Sequence, residues 1–445
     1  MSQFTRRKFI VTTGAAAAIS VLLNACTSDN TDKPSGKPSA GASSAPTNGL
    51  ETNKARLGFI ALTDSSPLII AFEKGLFKKH GMTEVEVVKQ ASWPVTRDNL
   101  EIGAEGGGID GAHILSPIPY MMTMGKTKSK QPIPMSILAR LNTNGQAISI
   151  ASSYKDDKIA LKSPNLKEAL AKAKASGKSD LKAAMTFPGG THDLWMRYWL
   201  AANGVDPGKD MTVIPIPPPQ MIANIKAGTM EMFCVGEPWN NQLVNNQLGS
   251  IALVTGELWK DHPEKAFAMR SDWVDKHPKA AKAITMAILE AQQWCDKPEN
   301  KEEMVKIVSD AKWFKVPPAD ILGPLKGNVN YGDGRPAVTG YPNAMKFWAD
   351  NASYPYQSHD LWFLTENIRW GNIPANTDTK ALIKKVNRED IWRAAAKEIG
   401  VPAAQIPTST SRGIETFFDG VKFDPAKPEE YLKSLKIKGA EKVPA

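Results

Sequence analysis

Short apolar segments alternate with helical stretches along most of this 445-residue chain, and the alternation restricts the folds it can adopt. Strands that alternate with helices form α/β structures with open, mostly parallel sheets. From about residue 300 onward the pattern is more helical and irregular, with many Trp, Tyr and Pro residues. The pattern predicts strands at 57–62, 85–88, 111–115, 135–141, 147–151, 183–187, 211–215, 230–236, 251–254 and 266–270, and helices at 67–79, 166–175, 191–203, 220–227 and 278–294.

The first 26 residues have the composition of a bacterial export signal. Arg6-Arg7-Lys8 precedes an uncharged stretch at 11–23, and Ala25-Cys26 follows it. A basic segment, a short apolar segment and small residues at a cleavage point make a signal peptide, and this one is too short to span a bilayer comfortably. We predict a signal peptide at 1–25. Both general secretion and the twin-arginine route remain open.

Cys26 follows Leu23-Asn24-Ala25, and this segment resembles a bacterial lipobox. The resemblance implies that Cys26 becomes the lipidated first residue of the mature protein; an ordinary signal with a coincidental Cys is the alternative. Residues 26–54 are rich in Ser, Thr, Gly and Pro, a composition typical of a flexible linker. The sequence therefore predicts a globular body tethered to the periplasmic side of the plasma (inner) membrane.

The body, about 390 residues long, exceeds what one compact core usually holds, so we expect two lobes. The formal charge is +9, and removal of the three signal-peptide cations would leave +6. Basic and acidic residues are interspersed, without a basic stripe that would indicate nucleic-acid binding. Cys234 and Cys295 have no C-x-x-C neighbour, so we expect two buried thiols, with a single disulfide as the alternative.

The sequence offers little support for an enzyme, a cofactor or a metal site. The six histidines show neither an H-E-x-x-H nor an H-x-x-E-H arrangement, and no G-x-S-x-G is present. Gly106, Gly108 and Gly111 satisfy G-x-G-x-x-G, but the helix that a dinucleotide site requires does not follow them. We therefore predict a binding protein without catalytic residues, cofactor or metal.

Five loops near strand ends carry groups that could meet around a ligand, since open α/β sheets bind ligands at such ends. The groups are an indole, a carboxamide, an imidazole, backbone N–H groups and one ammonium, which are nearly all donors and suit a small anion. Each residue also has an ordinary explanation as a packing residue, helix cap, turn or solvated lysine. The loops are Ser92-Trp93-Pro94, Asn144-Gly145-Gln146, Gly189-Gly190-Thr191-His192-Asp193, Gly236-Glu237-Pro238-Trp239 and His262-Pro263-Glu264-Lys265.

Over essentially its whole length the chain resembles the nitrate-binding lipoproteins that serve ABC importers and their bicarbonate-binding sisters. The resemblance implies a two-lobed clamp of the type II periplasmic-binding-protein class, with lobe 1 at 55–144, lobe 2 at 145–255, and a return to lobe 1 plus a helical extension at 256–445. The segments that carry it, besides the lipobox, are 67–77 (PLIIAFEKGLF), 106–111 (GGGIDG), 236–239 (GEPW), 270–274 (RSDWV), 358–370 (SHDLWFLTENIRW) and 411–420 (SRGIETFFDG).

The same resemblance implies the ligand and its binding residues. The family pocket consists of a Trp, a Gln, a His, a Gly backbone N–H and one discriminating residue, which fall here on Trp93, Gln146, His192, Gly236 and Lys265. The implied function is capture of nitrate and nitrite for nitrate assimilation, with delivery to an ABC permease and ATPase.

The discriminating position separates nitrate from bicarbonate. The bicarbonate branch resembles HPEE, with Glu in place of Lys265 and a calcium ion, whereas this chain has HPEK. Nitrate only accepts hydrogen bonds, so it favours a pocket of donors with one positive charge. We expect a buried Lys265 without an anionic partner, awaiting its ligand. A bicarbonate-binding subunit is the alternative.

Overall fold

The computed structural model describes residues 49–178 and 180–438. The predicted signal peptide, Cys26 and most of the predicted linker therefore lie outside the described residues. Within the described part, no helix is both long enough and apolar enough to cross a bilayer. Two five-stranded sheets, covered by helices, form the body.

The first sheet has the strand order β2-β1-β3-β10-β4. Strands β1, β2 and β3 pair in parallel, whereas β10 runs antiparallel to both β3 and β4. In chain order, β10 joins this sheet only after the five strands of the second sheet. The strands are β1 (Lys54–Phe59), β2 (Glu84–Lys89), β3 (Gly111–Leu115), β4 (Met135–Arg140) and β10 (Lys265–Arg270).

The second sheet has the order β7-β6-β8-β5-β9, and again one strand, β5, opposes its neighbours. Both sheets are therefore mixed, with four strands in one direction and one reversed. A separate hairpin lies near the C-terminus. The strands are β5 (Gln146–Ala151), β6 (Lys182–Met185), β7 (Thr212–Pro215), β8 (Met232–Gly236) and β9 (Gly249–Val254), and the hairpin is β11 (Glu415–Thr416) with β12 (Lys422–Phe423).

The helices cover the sheets and form most of the C-terminal region. The long helix α11 packs against α1, α2 and α16. The helices are α1 (Ser66–Glu73), α2 (Leu76–Lys79), α3 (Trp93–Ile102), α4 (Ile118–Thr123), α5 (Leu166–Ala175), α6 (Thr191–Ala202), α7 (Met221–Lys226), α8 (Trp239–Asn245), α9 (Thr255–Leu258), α10 (Ser271–Lys276), α11 (Pro278–Asp296), α12 (Lys301–Val308), α13 (Pro318–Leu325), α14 (Gln357–Arg369), α15 (Thr379–Val386), α16 (Glu389–Glu398) and α17 (Pro428–Ser434).

An aromatic cluster joins the C-terminal region to the second sheet's helices. The Trp195 ring in α6 stacks on Trp362 in α14 with centroids 5.0 Å apart, and Trp362 also stacks on Phe417 at 5.5 Å. Such ring pairs contribute about 0.5–1.5 kcal/mol each beyond the area they bury. The C-terminal region is therefore an integral part of the body.

The structure corrects three local predictions. The helix expected at 67–79 is two helices, because Gly75 adopts the left-handed conformation (φ 67°) between them. Ser92-Trp93-Pro94 is not a loop: Trp93 is the first residue of α3, which Pro94 in the first turn permits. Helix α4 follows the strand at 111–115 in a stretch for which the sequence predicted no helix. Cys234 and Cys295 are both buried and free, as expected.

Candidate functional site

The five residues predicted for the site lie at the ends of five different elements. Trp93 begins α3, Gln146 begins β5, Lys265 begins β10, Gly236 ends β8, and His192 is the second residue of α6. The antiparallel register of β5 and β8 places Gln146 directly opposite Gly236. All five residues are buried, and the structure brings them together.

Lys265 is the centre of this cluster and is completely buried. Its Nζ lies 2.8 Å from Asp64 Oδ2, 3.0 Å from Glu264 Oε1 and 3.4 Å from His192 Nε2. Burial alone would lower the pKa of Lys265, but the two carboxylates raise it above its ordinary value. The ammonium is therefore charged and paired. The expectation of a lysine without an anionic partner is wrong, because the side chains of Asp64 and Glu264 are also buried and contact the ammonium.

Asp64 supplies one of these carboxylates from a short 3-10 turn, Thr63–Ser65, between β1 and α1. Its Oδ2 also accepts a 3.0 Å hydrogen bond from Gln146 Nε2, and its Oδ1 lies 2.6 Å from His113 Nε2. Burial alone would raise the pKa of Asp64, but the charge of Lys265 and the interaction with His113 hold it below its ordinary value.

Glu264 supplies the second carboxylate. The Thr191 hydroxyl donates to its Oε1, and the Trp195 indole donates to its Oε2 at 2.6 Å. Burial raises the pKa of Glu264, and the charge of Lys265 opposes that rise. Both oxygens are thus bound by donors from α6, so Glu264 is a fixed counter-ion for Lys265.

His192 is held by hydrogen bonds on both ring nitrogens. Nε2 lies 2.8 Å from Gln146 Oε1, and Nδ1 lies 2.6 Å from Thr186 Oγ1. Because an amide oxygen only accepts, Nε2 carries the proton and the Thr186 hydroxyl donates to Nδ1. Burial and then the charge of Lys265 lower the pKa of His192 well below its ordinary value. The imidazole is therefore a neutral donor.

Gly236 leaves space beside the polar groups. A Cβ at this position would lie 2.6 Å from Gln146 Oε1 and 3.2 Å from Asp64 Oδ2, which is too close for a carbon atom at the first distance. Any other residue would push into the cluster. The glycine thus allows the β8 backbone to approach the space in which the side-chain donors meet.

Trp93 differs from the other donors because its Nε1 is buried and has no hydrogen-bond partner in the part of the chain that the structure describes. The Nζ of Lys265 lies 5.8 Å from the centroid of its ring. Thr63 Oγ1 and Trp239 Nε1, which also have no partner among residues 49–178 and 180–438, belong to the segments that carry Asp64 and Gly236. A buried donor left unpaired costs about 1–3 kcal/mol, so the indole N–H of Trp93, whose ring lies near Lys265, is a donor that an acceptor in this cluster would satisfy.

Sequence reasoning missed Asp64, His113 and Thr186, and it recorded Glu264 only as a neighbour of Lys265. Asp64 precedes a Ser-Ser-Pro helix start and resembles a local capping residue. His113 lies inside a buried strand, where a lone histidine carries no spacing signal. In residues 49–178 and 180–438, no group of three or more His, Cys, Asp or Glu side chains is arranged to hold a metal ion.

Comparison with known proteins identifies relatives over nearly the whole chain. The NMT1-like family matches residues 48–309. The nitrate/nitrite binding protein NrtA of Nostoc sp. (strain PCC 7120) is 62% identical over 98% of this chain and 100% of its own length. The bicarbonate-binding protein CmpA of Synechococcus elongatus is 41% identical, with 98% of both chains covered. The nitrate import ATP-binding protein NrtC of Synechocystis sp. is 32% identical over 88% of this chain and 56% of its own.

A solved structure shows the same fold. The crystal structure of the periplasmic nitrate-binding protein NrtA from Synechocystis PCC 6803 matches this structure with a TM-score of 0.85 at 62% sequence identity. The match covers 87% of this chain and 100% of the other. It confirms the α/β periplasmic-binding-protein fold expected from the sequence.

Proposed function

We propose that this chain, which belongs to the NMT1-like family and, within it, to the family of the nitrate/nitrite binding proteins NrtA, captures nitrate in the buried cluster around Lys265. Nitrite is the second ligand that we expect. The ligand-binding residues are Trp93, Gln146, His192, Lys265 and the backbone N–H of Gly236. The protein binds its ligand without transforming it and, as part of an ABC importer, supplies nitrate for assimilation.

The observation that carries this proposal is the buried indole N–H of Trp93, which has no partner among the described residues and belongs to a ring whose centroid lies 5.8 Å from Lys265 Nζ. A planar monoanion that accepts hydrogen bonds would satisfy the indole and approach the ammonium at the same time. Gln146 Nε2 and the protonated Nε2 of His192 lie in the same cluster and are further donors. One buried charge pair and several neutral hydrogen bonds are consistent with micromolar binding, which corresponds to about −8 kcal/mol.

Bicarbonate is the alternative ligand, and three arguments weigh against it. The position that carries Glu in the bicarbonate branch carries a fully buried lysine here. Identity to the bicarbonate-binding protein CmpA is 41%, compared with 62% to the nitrate/nitrite binding protein NrtA. Bicarbonate has an O–H that needs an acceptor, yet both oxygens of Glu264 already accept from Thr191 and Trp195.

The importer itself supplies the protein partners. Similarity to the ATP-binding subunit NrtC supports a nitrate import system with an ATPase, and we propose a permease and an ATPase as partners. The two lobes are proposed to be 55–144 and 145–255, with 256–445 returning to the first lobe. The first proposed lobe contains β1 to β4, and the second contains all five strands of the other sheet.

The proposed location is the periplasmic side of the plasma membrane, with Cys26 as the lipid anchor. The Leu-Asn-Ala-Cys segment and the linker composition support the anchor. Cys26→Ser would then move the protein from the membrane fraction to the soluble fraction without changing ligand binding. Retention of the Ser variant in the membrane fraction would refute the lipid anchor.

Isothermal titration calorimetry of the purified protein with nitrate, nitrite and bicarbonate tests the ligand, with bicarbonate measured both with and without calcium. We expect saturable heat at one site for nitrate and nitrite. Heat with bicarbonate and calcium alone would instead assign the protein to the bicarbonate alternative. Titration of all ligands into heat-denatured protein controls for dilution and non-specific binding.

A further inference from the structure

One oxygen of Asp64 contacts two of the hydrogen-bond donors that are assigned to nitrate. Asp64 Oδ2 lies 2.8 Å from Lys265 Nζ and 3.0 Å from Gln146 Nε2. The same oxygen would lie 3.2 Å from a Cβ placed on Gly236, so it also faces the glycine of the proposed pocket. A carboxylate oxygen of the protein therefore makes contacts that an oxygen of the ligand would need.

The other oxygen of Asp64 is anchored independently of these donors. His113 Nε2 lies 2.6 Å from Asp64 Oδ1, and the backbone N–H of Ile60 reaches His113 Nδ1 at 3.5 Å. This pattern makes Nε2 the donor to the carboxylate. Asp64 can therefore release Lys265 and Gln146 while its hydrogen bond from His113 remains in place.

Glu264 cannot release Lys265 in the same way. Its two oxygens are held by Thr191 and Trp195, both in α6. It remains a counter-ion of Lys265 whether or not a ligand is present. Of the two carboxylates, only Asp64 has an oxygen whose partners are both residues of the proposed nitrate site.

Nitrate and a carboxylate group share the features that these donors recognise. Both are planar, carry one negative charge, and present oxygens that accept hydrogen bonds without donating any. We propose that Asp64 is an internal competing anion that holds Lys265 and Gln146 until an external planar monoanion replaces it. Asp64 then lowers the affinity of the site for nitrate, because the anion must displace it. This inference rests on the proposed nitrate-binding function.

Replacement of the charge tests the proposal. Asp64→Asn keeps the shape of the side chain but removes the charge that competes for Lys265. We expect nitrate to bind at least about tenfold more tightly, since the free protein no longer has to break a charge-assisted hydrogen bond of that magnitude. The measurement is nitrate affinity by calorimetry, with circular dichroism and thermal unfolding as checks of folding.

Glu231→Gln is the matched control. Glu231 is also a buried carboxylate paired with a lysine, Lys178, but it lies immediately before β8, whereas Gly236 lies at the far end of that strand. Its nitrate affinity is expected to equal that of the wild type. Unchanged or weaker nitrate binding by folded Asp64→Asn would overturn the proposal. Absence of nitrate binding by the wild type would instead refute the proposed function.

A second variant and a wild-type measurement cover the case in which Asp64→Asn does not fold. Asp64→Ala should show the same gain in affinity. The infrared difference spectrum of wild-type protein with ¹³C-labelled aspartate should show one carboxylate band shifting when nitrate is added, because Asp64 exchanges partners. No shift in any aspartate band would overturn the proposal independently of the variants.

Discussion

The Nζ of Lys265 lies 5.8 Å from the centroid of the Trp93 ring, yet the two donors differ in how they are satisfied. The ammonium contacts two carboxylates, whereas the indole N–H has no partner among the described residues. An anion that binds between them would gain a new hydrogen bond from Trp93 and would have to share Lys265. Variants of Trp93 and Lys265 separate these two contributions.

Trp93→Phe should weaken nitrate binding by about 1–2 kcal/mol, the contribution of one neutral hydrogen bond, without lowering the stability of the ligand-free protein. The reason is that the indole N–H has no hydrogen-bond partner among the described residues whose loss would destabilise the fold. Trp195→Phe is the control, because the Trp195 N–H donates to Glu264 Oε2 at 2.6 Å. That variant should lose about 1–3 kcal/mol of stability in urea unfolding. Equal losses of stability in both variants would contradict this account.

Lys265→Gln should reduce nitrate affinity much more than Trp93→Phe does, by about 100-fold or more. Removal of one partner of a buried charge pair costs roughly 2–5 kcal/mol, and each 1.4 kcal/mol is about tenfold in affinity. The variant should also be less stable, because Asp64 and Glu264 lose their shared cation. Calorimetry on protein shown to be folded by circular dichroism is the measurement. Affinity within a few-fold of the wild type would exclude Lys265 from the binding site.

His192→Ala should weaken nitrate binding by the same factor at pH 6 and at pH 8. Burial and the charge of Lys265 lower the pKa of His192 well below its ordinary value, so the ring donates as a neutral imidazole at both pH values. A single lost hydrogen bond is worth roughly tenfold in affinity. The ratio of wild-type to variant affinity at the two pH values is the quantity to measure. A loss that is several times larger at pH 6 would show that the imidazolium binds the ligand.

Glu237→Gln should make stability less dependent on pH. Burial raises the pKa of Glu237 to about 7 from an ordinary value of 4.5, so the folded protein keeps a proton that the unfolded chain releases. The stabilisation from this proton is fully present below pH 4.5 and is lost as the pH rises through about 7. Urea unfolding should show that, between pH 5 and pH 8, the free energy of unfolding falls by roughly 2–3 kcal/mol more in the wild type than in the variant. If the free energy of unfolding falls equally in both proteins, Glu237 does not have a raised pKa in the folded protein.

The sequence predicted regular elements well where the signal is local. The pattern at 111–115 matches β3, and the pattern at 166–175 matches α5. It failed at Trp93, because Ser-Trp-Pro is typical of a turn, although proline also occurs in the first turn of a helix. It also failed at Gly75, where one left-handed residue divides a helix whose apolar pattern continues.

The side-chain contacts within the site could not be predicted from the sequence, for a different reason. Asp64 meets His113 across 49 residues of chain and Gln146 across 82. No local spacing encodes such contacts, because they exist only after both sheets have formed. The sequence therefore predicted the hydrogen-bond donors of the site, which lie at the ends of strands and helices. It did not predict that the carboxylates of Asp64 and Glu264 pair with the Lys265 ammonium.

A crystal structure of the protein grown with nitrate tests the central claim most directly. We predict nitrate oxygens within about 3 Å of both Lys265 Nζ and Trp93 Nε1, the ordinary hydrogen-bond distance. The indole N–H of Trp93, which has no partner among the described residues, would then have its acceptor. Nitrate bound elsewhere on the molecule, with Trp93 Nε1 still unpartnered, would contradict the account.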